Sequence, residues 1–399
     1  MPLSKKKKGT IAILTGGGDV PGLNPAIGAV ATRAIQNGYQ VIGLRRGWAG
    51  ILELNRDKEA DNADNFRMLT TDLVSKASRT GGTILHTSRT RPSNVHRDLV
   101  PKQYQDKYCD EWNDLSPEVI KNLDFLGVDH LVAIGGDDTL SYAVDLHQRG
   151  VNVIGIPKTM DNDVPGTEYC IGFSTCITRT LQLTNRMRTS AGSHERILIV
   201  EVFGRYAGYT AMLPTLAGAA SRCVIPEYKF DIELLTQLLI EDRAQNPSNY
   251  SVVIVSEGAT FDIGEMIFED SDTDAFGHKK LGGIGNLVSQ EIKMRSPKYN
   301  NGKIVNIINQ KLGYTVRGGE PDAIDSIIPM AYGSLALDLI LNNDHGRLIA
   351  LKDGRYDHVP LDVVTSTKKV VDVRQHYNTE RLRPFYKDFQ KKPFFFMTG

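Results

Sequence analysis

Apolar residues in this chain gather in short unbroken runs: IAIL at 11–14, VIGL at 41–44, LVAI within VDHLVAIGGDD and VIGI within VNVIGIPKTMDND. Apolar at consecutive rather than alternate positions, such runs predict strands buried on both faces. Each closes on glycines or a polar loop. After the first run, Asn24-Pro25 offers a cap residue ahead of a proline suited to a first helical turn, and Gly38 offers a stop. A second helix is predicted over 140–149. Strand and helix alternate, which predicts a parallel sheet with right-handed crossovers. In such a sheet the loops leaving the C-terminal strand ends share one edge, and ligands bind there. That rule draws GGGD (16–19), GGDD (135–138) and PKTMDND (157–163) into one place.

The pattern starts again after Ile171. ERILIVEVFGRYAGYTAM reads as strand, loop and helix, and ASRCVIPE and YSVVIVSEGAT read as further buried strands. The expected fold is α/β: two Rossmann-like domains with mostly parallel sheets and the active site in the cleft between them. The first domain is expected over 1–172, completed by about 317–370, and the second over 173–316. Segment 89–118 is polar and irregular and reads as a surface excursion. The tail over 371–399 mixes aromatics with cations and is open to three readings: an oligomer contact, a lid, or a strip packed on its own subunit.

Composition narrows the function. The chain has 399 residues, enough for two domains, and 41% of them are apolar, enough for a large core. Lys plus Arg and Asp plus Glu are both 47, so the chain lacks the basic excess of a dedicated nucleic-acid binder. A local cluster of cations still suffices for a small anion. Cys109, Cys170, Cys176 and Cys223 form no C-x-x-C pair and read as reduced thiols of a cytoplasmic protein. The basic run at 5–8 reads as a solvated tail, and no apolar stretch reads as long enough to span a membrane.

The chemistry lies in the loops. TGGGDVPGLN (15–24) matches neither G-x-x-x-x-G-K-[ST] nor G-x-G-x-x-G; it is either a tight strand-to-helix turn or a cradle of N–H groups for an anion. In GGDD, Asp137 suits either a Mg²⁺ ligand or a helix cap, and one aspartate would satisfy the cap, leaving the other unexplained. Asp161 and Asp163 are two apart, so they share a side if the segment is extended and diverge if it turns. An EF-hand reading fails: its fifth position is Pro165 and its twelfth is Gly172. A carboxylate at a strand end close to phosphate is what a phosphoryl-transfer base requires, and Lys158 beside it can neutralise phosphate. Arg186, Arg188, Arg196, Arg205 and Arg317 are either phosphate forks or solvated charges. Glu257 either accepts sugar hydroxyls or caps a helix. The nine histidines show no zinc-ligand spacing.

Taken together, these motifs resemble the phosphofructokinases over most of residues 10–340. TGGGDVPGLN, with Gly17, is similar to the family's first phosphate loop. GGTILHTSR is similar to its second, with Arg89 on the arginine that contacts the donor. GGDD is similar to its metal loop, with Asp137 on the Mg²⁺-binding aspartate. PKTMDND falls on the catalytic loop, with Asp161 on the base and Asp163 beside it. SHER, EVFGRYAG, SEG and LGYTVRGG fall on sugar-phosphate contacts, at Arg196, Phe203, Gly204, Arg205, Glu257, Tyr314 and Arg317.

The resemblance also bears on the donor. ATP-dependent members have glycine where this chain has Asp138, and pyrophosphate-dependent members share its Lys158. A carboxylate at 138 would repel a nucleotide phosphate by about 1 kcal/mol in water and several in a partly buried site. The resemblance therefore implies reversible transfer from pyrophosphate to the 1-hydroxyl of fructose 6-phosphate with Mg²⁺. Asp161 would act as base, Thr159 would position the group in transfer, and Lys158, Arg89 and Arg205 would offset its charge. The first domain would bind pyrophosphate and Mg²⁺, the second the sugar phosphate. Arg196 would serve the neighbouring subunit of a homodimer or homotetramer. Phe203 departs from the usual methionine, Tyr314 from the histidine of ATP-dependent bacterial members, and Ile308 from an intersubunit arginine for which Lys311 is a candidate replacement. The alternatives are an ATP-dependent 6-phosphofructokinase and a non-catalytic sugar-phosphate sensor. The sensor predicts loss of Asp161 or Asp137, and both are present.

Overall fold

The computed structural model describes residues 8–261, 268–273 and 279–391. Of the basic run at 5–8, only Lys8 is among them, and it is exposed. The chain opens with β1 (Thr10–Thr15), α1 (Leu23–Gln36), β2 (Gln40–Leu44) and β3 (Phe66–Met68). It continues through α2 (Ser116–Phe125), β4 (His130–Gly135), α3 (Asp137–Gln148) and β5 (Val153–Pro157). The long helix α4 (Phe173–Ser193) leads to β6 (Ile197–Val202), α5 (Tyr209–Leu216), β7 (Arg222–Val224), β8 (Ser251–Ser256) and β9 (Ile307–Lys311). Helix α6 (Ile324–Leu341) then returns the chain to β10 (Arg347–Lys352) and β11 (Arg355–Pro360).

These strands form a seven-stranded sheet in the order β11-β10-β5-β4-β1-β2-β3 and a four-stranded sheet in the order β9-β6-β8-β7. All pairings are parallel except the outer ones of the larger sheet, β2 with β3 and β10 with β11. The chain moves from β1 to β2 on one side and later inserts β4 on the other, so the strand order reverses at β1. Ligands favour the crevice at such a reversal.

The unbroken apolar runs are explained by two-sided burial. Ile11 and Ile13 enter one hydrophobic cluster while Ala12 and Leu14 enter the other. Val132 and Ile134 of β4 split from Leu131 and Ala133 in the same way. Each of these side chains is fully buried. Truncating one large member to alanine would cost about 2–5 kcal/mol.

Several expectations are corrected. Gly22, not Asn24, is the N-cap of α1, with φ +105°. Asn24 lies inside the first turn and turns its amide outward to the next loop. It donates to the carbonyls of Thr80 and Gly81 and accepts from the Ile84 N–H. The 89–118 segment is not merely surface. It forms a small hairpin, Val95–His96 with Trp112–Asn113, and buries Val95, Val100, Tyr104 and Leu115. Helix α6 is long and apolar enough in length and composition to cross a membrane, contrary to the sequence reading; half of it is buried in the molecule, and Arg33 of α1 pairs with its Asp338. Of the three readings of the tail, the described part is a strip packed on its own chain. Cys223 N–H donates to the Leu382 carbonyl, Arg222 donates to the Arg381 carbonyl, and the Tyr377 and Tyr386 hydroxyls donate to the carbonyls of Cys223 and Thr215. Residues 392–399 lie outside the described residues.

Candidate active site

The loops at the C-terminal ends of β1, β4, β5 and β6 meet in one cleft of about 280 Å³. Its lining comprises Gly17 and Gly18 after β1, Gly136 to Thr139 after β4, and Lys158, Thr159, Asp161 and Asp163 after β5. Arg89, Arg205 and Tyr206 complete it. The glycines are there because neighbours leave no room. A Cβ on Gly16 would stand 2.4 Å from Thr139 Oγ1, and one on Gly135 would stand 2.3 Å from Thr139 Cβ. Gly17 has φ +77°, its N–H donates to the Ser88 carbonyl, and its carbonyl accepts from Thr87 Oγ1 at 2.6 Å. This ties the segment carrying Arg89 to the first glycine loop.

Lys158 sits at the centre of the basic side of the cleft. Its Nζ donates to the Gly18 carbonyl at 2.7 Å, and its side chain is 4% exposed. Burial, reinforced by Arg317 and Arg89, pushes its pKa down to about 8. Arg317 is buried beside it, pairs with Asp19, and stacks its guanidinium over Tyr314 at 4.9 Å from the ring centre. Gly18, Asp19, Lys158 and Arg317 therefore form one group.

The carboxylates stand opposite. Asp137 and Asp138 occupy the first turn of α3, whose N-cap is Gly136 with no side-chain capping bond. The cap reading of GGDD thus fails for both aspartates. The segment after β5 is a turn, not extended: Asn162 is left-handed with φ +56° and fully buried. Its amide donates to the Glu168 carbonyl and accepts from the Cys170 N–H. Around that pivot Asp161 and Asp163 still face the same cleft. Asp161 N–H donates to Thr159 Oγ1, and Asp161 Oδ2 accepts from the Arg205 N–H at 3.4 Å. Its Oδ1 is buried with no hydrogen-bond partner. Burial, Asp163 and Glu257 raise the Asp161 carboxyl well above the usual range. Burial, Asp163 and Asp138 raise Asp137. Burial is also the main cause that raises Asp163.

The second sheet brings its loops to the same place. Glu257 N–H donates to the Val202 carbonyl, and Gly258 N–H donates to the Gly204 carbonyl. A Cβ on Gly258 would stand 2.0 Å from the Arg205 carbonyl oxygen, so the β6 and β8 loops touch there only through glycine. Gly204 itself has φ +123°. Phe203 is half-buried, and its carbonyl accepts from Thr210 Oγ1.

Arg196 is not brought to the cleft. It precedes β6, at the far end of the strand from Phe203 and Arg205, ~20 Å away at the usual rise per residue. Tyr314 is 71% exposed, outside the cleft lining. Ile308 is half-buried on β9, packed against the main core. Lys311 lies 3.7 Å from the buried Glu201 and so serves a structural pair. Arg188 is likewise structural, donating to the Gly218 carbonyl and to Asn185. Sequence reasoning passed over Asp19, Asn162 and Tyr206. Only Asn162 carried a signal, because asparagine tolerates the left-handed region better than other non-glycine residues.

Known proteins resemble this chain over most of its length. The phosphofructokinase family model matches residues 10–340. A pyrophosphate–fructose 6-phosphate 1-phosphotransferase of Amycolatopsis mediterranei is 35% identical, over 93% of this chain and 98% of its own length. An ATP-dependent 6-phosphofructokinase 3 of Streptomyces coelicolor is also 35% identical, over 91% of this chain and 97% of its own. A crystal structure of a pyrophosphate-dependent phosphofructokinase from Marinobacter aquaeolei aligns with a TM-score of 0.71 at 19% identity, covering 95% of this chain and 89% of that one, which speaks to the fold alone. The chain belongs to the phosphofructokinase family and is a phosphotransferase of that type.

Proposed function

We propose that the protein transfers a phosphoryl group reversibly from pyrophosphate to the 1-hydroxyl of fructose 6-phosphate, giving fructose 1,6-bisphosphate and phosphate. The observation that carries this reading is the pairing of Asp138, set beside Asp137 on the first turn of α3, with the buried Lys158 on the Gly18 carbonyl. A carboxylate at 138 repels the inner phosphate of a nucleotide, whereas the shorter inorganic donor ends before it. Lys158 and Arg89 supply the charge that such a donor needs.

In this reading the first domain, 1–172 with about 317–370, binds the donor, and 173–316 binds the sugar phosphate. Asp161 takes the proton from the 1-hydroxyl as its oxygen attacks phosphorus and the bond to the departing phosphate breaks. Its raised pKa suits it to hold that proton. Thr159 and the Gly17 loop position the group in flight, and Lys158, Arg89 and Arg205 stabilise its charge, as preorganised cations do. Glu257, Phe203 and Gly204 contact the sugar, and Arg317, Tyr314 and a neighbour's Arg196 hold the 6-phosphate. Among the described residues no group of three or more His, Cys, Asp or Glu side chains could hold a metal alone. Mg²⁺ does not need one, since it binds through one or two carboxylates plus substrate phosphates and water. Asp137 and the nearby Asp163, crowded by like charge, fit that donor set. When bound, Mg²⁺ would neutralise charge on the donor oxygens. The free, mostly buried cysteines suit a cytoplasmic enzyme.

The second reading is an ATP-dependent 6-phosphofructokinase, favoured by relatives of that name at equal identity. Purified protein with fructose 6-phosphate and Mg²⁺, supplied with pyrophosphate or ATP in turn, separates the two. Turnover is expected with pyrophosphate at a kcat/KM at least ~100-fold above that with ATP, corresponding to ~3 kcal/mol of donor discrimination. The double variant D138G/K158G is expected to raise the ATP rate. Equal use of both donors by the wild type defeats the proposal.

A further inference from the structure

Residues 367–371 leave the first sheet and cross to the second. Lys369 is 6% exposed, and its Nζ donates to the Thr167 carbonyl at 2.7 Å, which anchors the strap to the loop behind Asp163. One residue later the Val370 carbonyl accepts from Tyr209 Oη at 2.8 Å, and the Val371 N–H donates to Glu227 Oε1 at 2.7 Å. Tyr209 starts α5, and Glu227 also accepts from the Gly208 N–H. The strap is thus pinned to both sides of the cleft within three residues.

Lys368 immediately precedes these three anchored residues. Its backbone cannot wander, but its side chain is exposed. The ammonium sits 5.5 Å from the ring centre of Tyr206, a cation–π contact. Tyr206 is itself part of the cleft lining and 45% exposed. The side chain is therefore placed at the rim of the site by its contact with Tyr206, whose ring lines it.

The charge balance of the cleft indicates a use. Its lining offers three basic side chains, Arg89, Lys158 and Arg205, among four acidic ones, Asp137, Asp138, Asp161 and Asp163. A donor made only of phosphate has no base or sugar to bind, so all of its affinity must come from charge and hydrogen bonds. Lys368 is a further cation at the rim of this set, through its contact with Tyr206.

We propose that Lys368, resting on Tyr206, binds the departing phosphate of the donor and contributes to preference for pyrophosphate. The proposal deepens the reading above and rests on it. Because the departing phosphate of the forward reaction is the phosphate substrate of the reverse one, both KM values should move together.

The test is steady-state kinetics of K368Q and K368R in both directions. For K368Q the KM for pyrophosphate and the KM for inorganic phosphate are each expected to rise about tenfold, the loss of one phosphate-directed charge-assisted contact. The KM for fructose 6-phosphate should stay within about twofold, and K368R should recover most of the loss because it keeps the charge. Y206A, which removes the shelf but not the charge, should raise the same two constants less. If K368Q keeps its pyrophosphate and phosphate KM values while the wild type turns over pyrophosphate, this inference fails alone. A rise in the fructose 6-phosphate KM equal to that of the donor also overturns it. A wild type inert with pyrophosphate defeats both this inference and the proposed reaction.

Discussion

At the scale of single residues, the site depends on a backbone conformation few side chains accept. Asn162 stands left-handed between the two aspartates and holds the turn with two buried hydrogen bonds. Asn162→Ala should lose both and add strain, at about 2–4 kcal/mol in all. Urea unfolding will measure that loss, and kcat should fall with it as Asp161 and Asp163 drift. Asn162→Gly should recover the backbone share of the stability but not the hydrogen-bond share. Much of the cleft lining was legible at this scale, because Asp137, Lys158, Asp161 and Arg205 sit where strands end. Asp19 and Tyr206 were not legible: each matters through what stands across from it, Arg317 for one and Lys368 for the other.

At the scale of elements, α2 illustrates how the polar 89–118 segment is secured. Glu118 in its first turn is 2% exposed, and it accepts hydrogen bonds from Lys107, Arg56 and Lys121 at 2.6, 2.8 and 3.2 Å. Burial pushes its carboxyl up, but the three cations together outweigh burial and hold it at about 2. A carboxylate depressed in the folded state stabilises the protein above its unfolded pKa of about 4.3, and that contribution disappears as pH falls through the folded value. Stability should therefore drop between about pH 4.5 and pH 2 by roughly 2 kcal/mol from this group, discounted for the half-exposed partner lysines. Glu118→Gln should flatten that part of the acid profile in thermal melts while lowering neutral stability. Sequence pattern missed this arrangement because a hydrophilic segment and a segment with one buried, triply paired glutamate look alike in composition.

At the scale of the whole molecule, the cleft draws on both sheets and Arg196 does not reach it. In the proposed assembly Arg196 completes the site of a neighbouring subunit. Arg196→Ala and Asp161→Asn homo-oligomers should each be nearly inactive. Subunits mixed by mild dissociation and reassembly should regain part of the activity, because some sites then carry neither substitution. An assay before and after mixing, with gel filtration to confirm exchange, checks this; no recovery removes Arg196 from the neighbour's site.

By itself the sequence determined the alternation of buried strands and helices, hence a parallel sheet whose loops share one edge. It also determined the residues on those loops, because two-sided burial leaves an unbroken apolar run and strand ends are marked by glycine and aspartate. Only the tertiary structure decided which side chains face one another. The Lys158 bond to Gly18, the Asp19–Arg317 pair, the left-handed pivot at Asn162 and the strap that sets Lys368 over Tyr206 all join residues through space. Hydrophobic periodicity records whether a position is buried, not what it meets, so those contacts had no trace in the pattern.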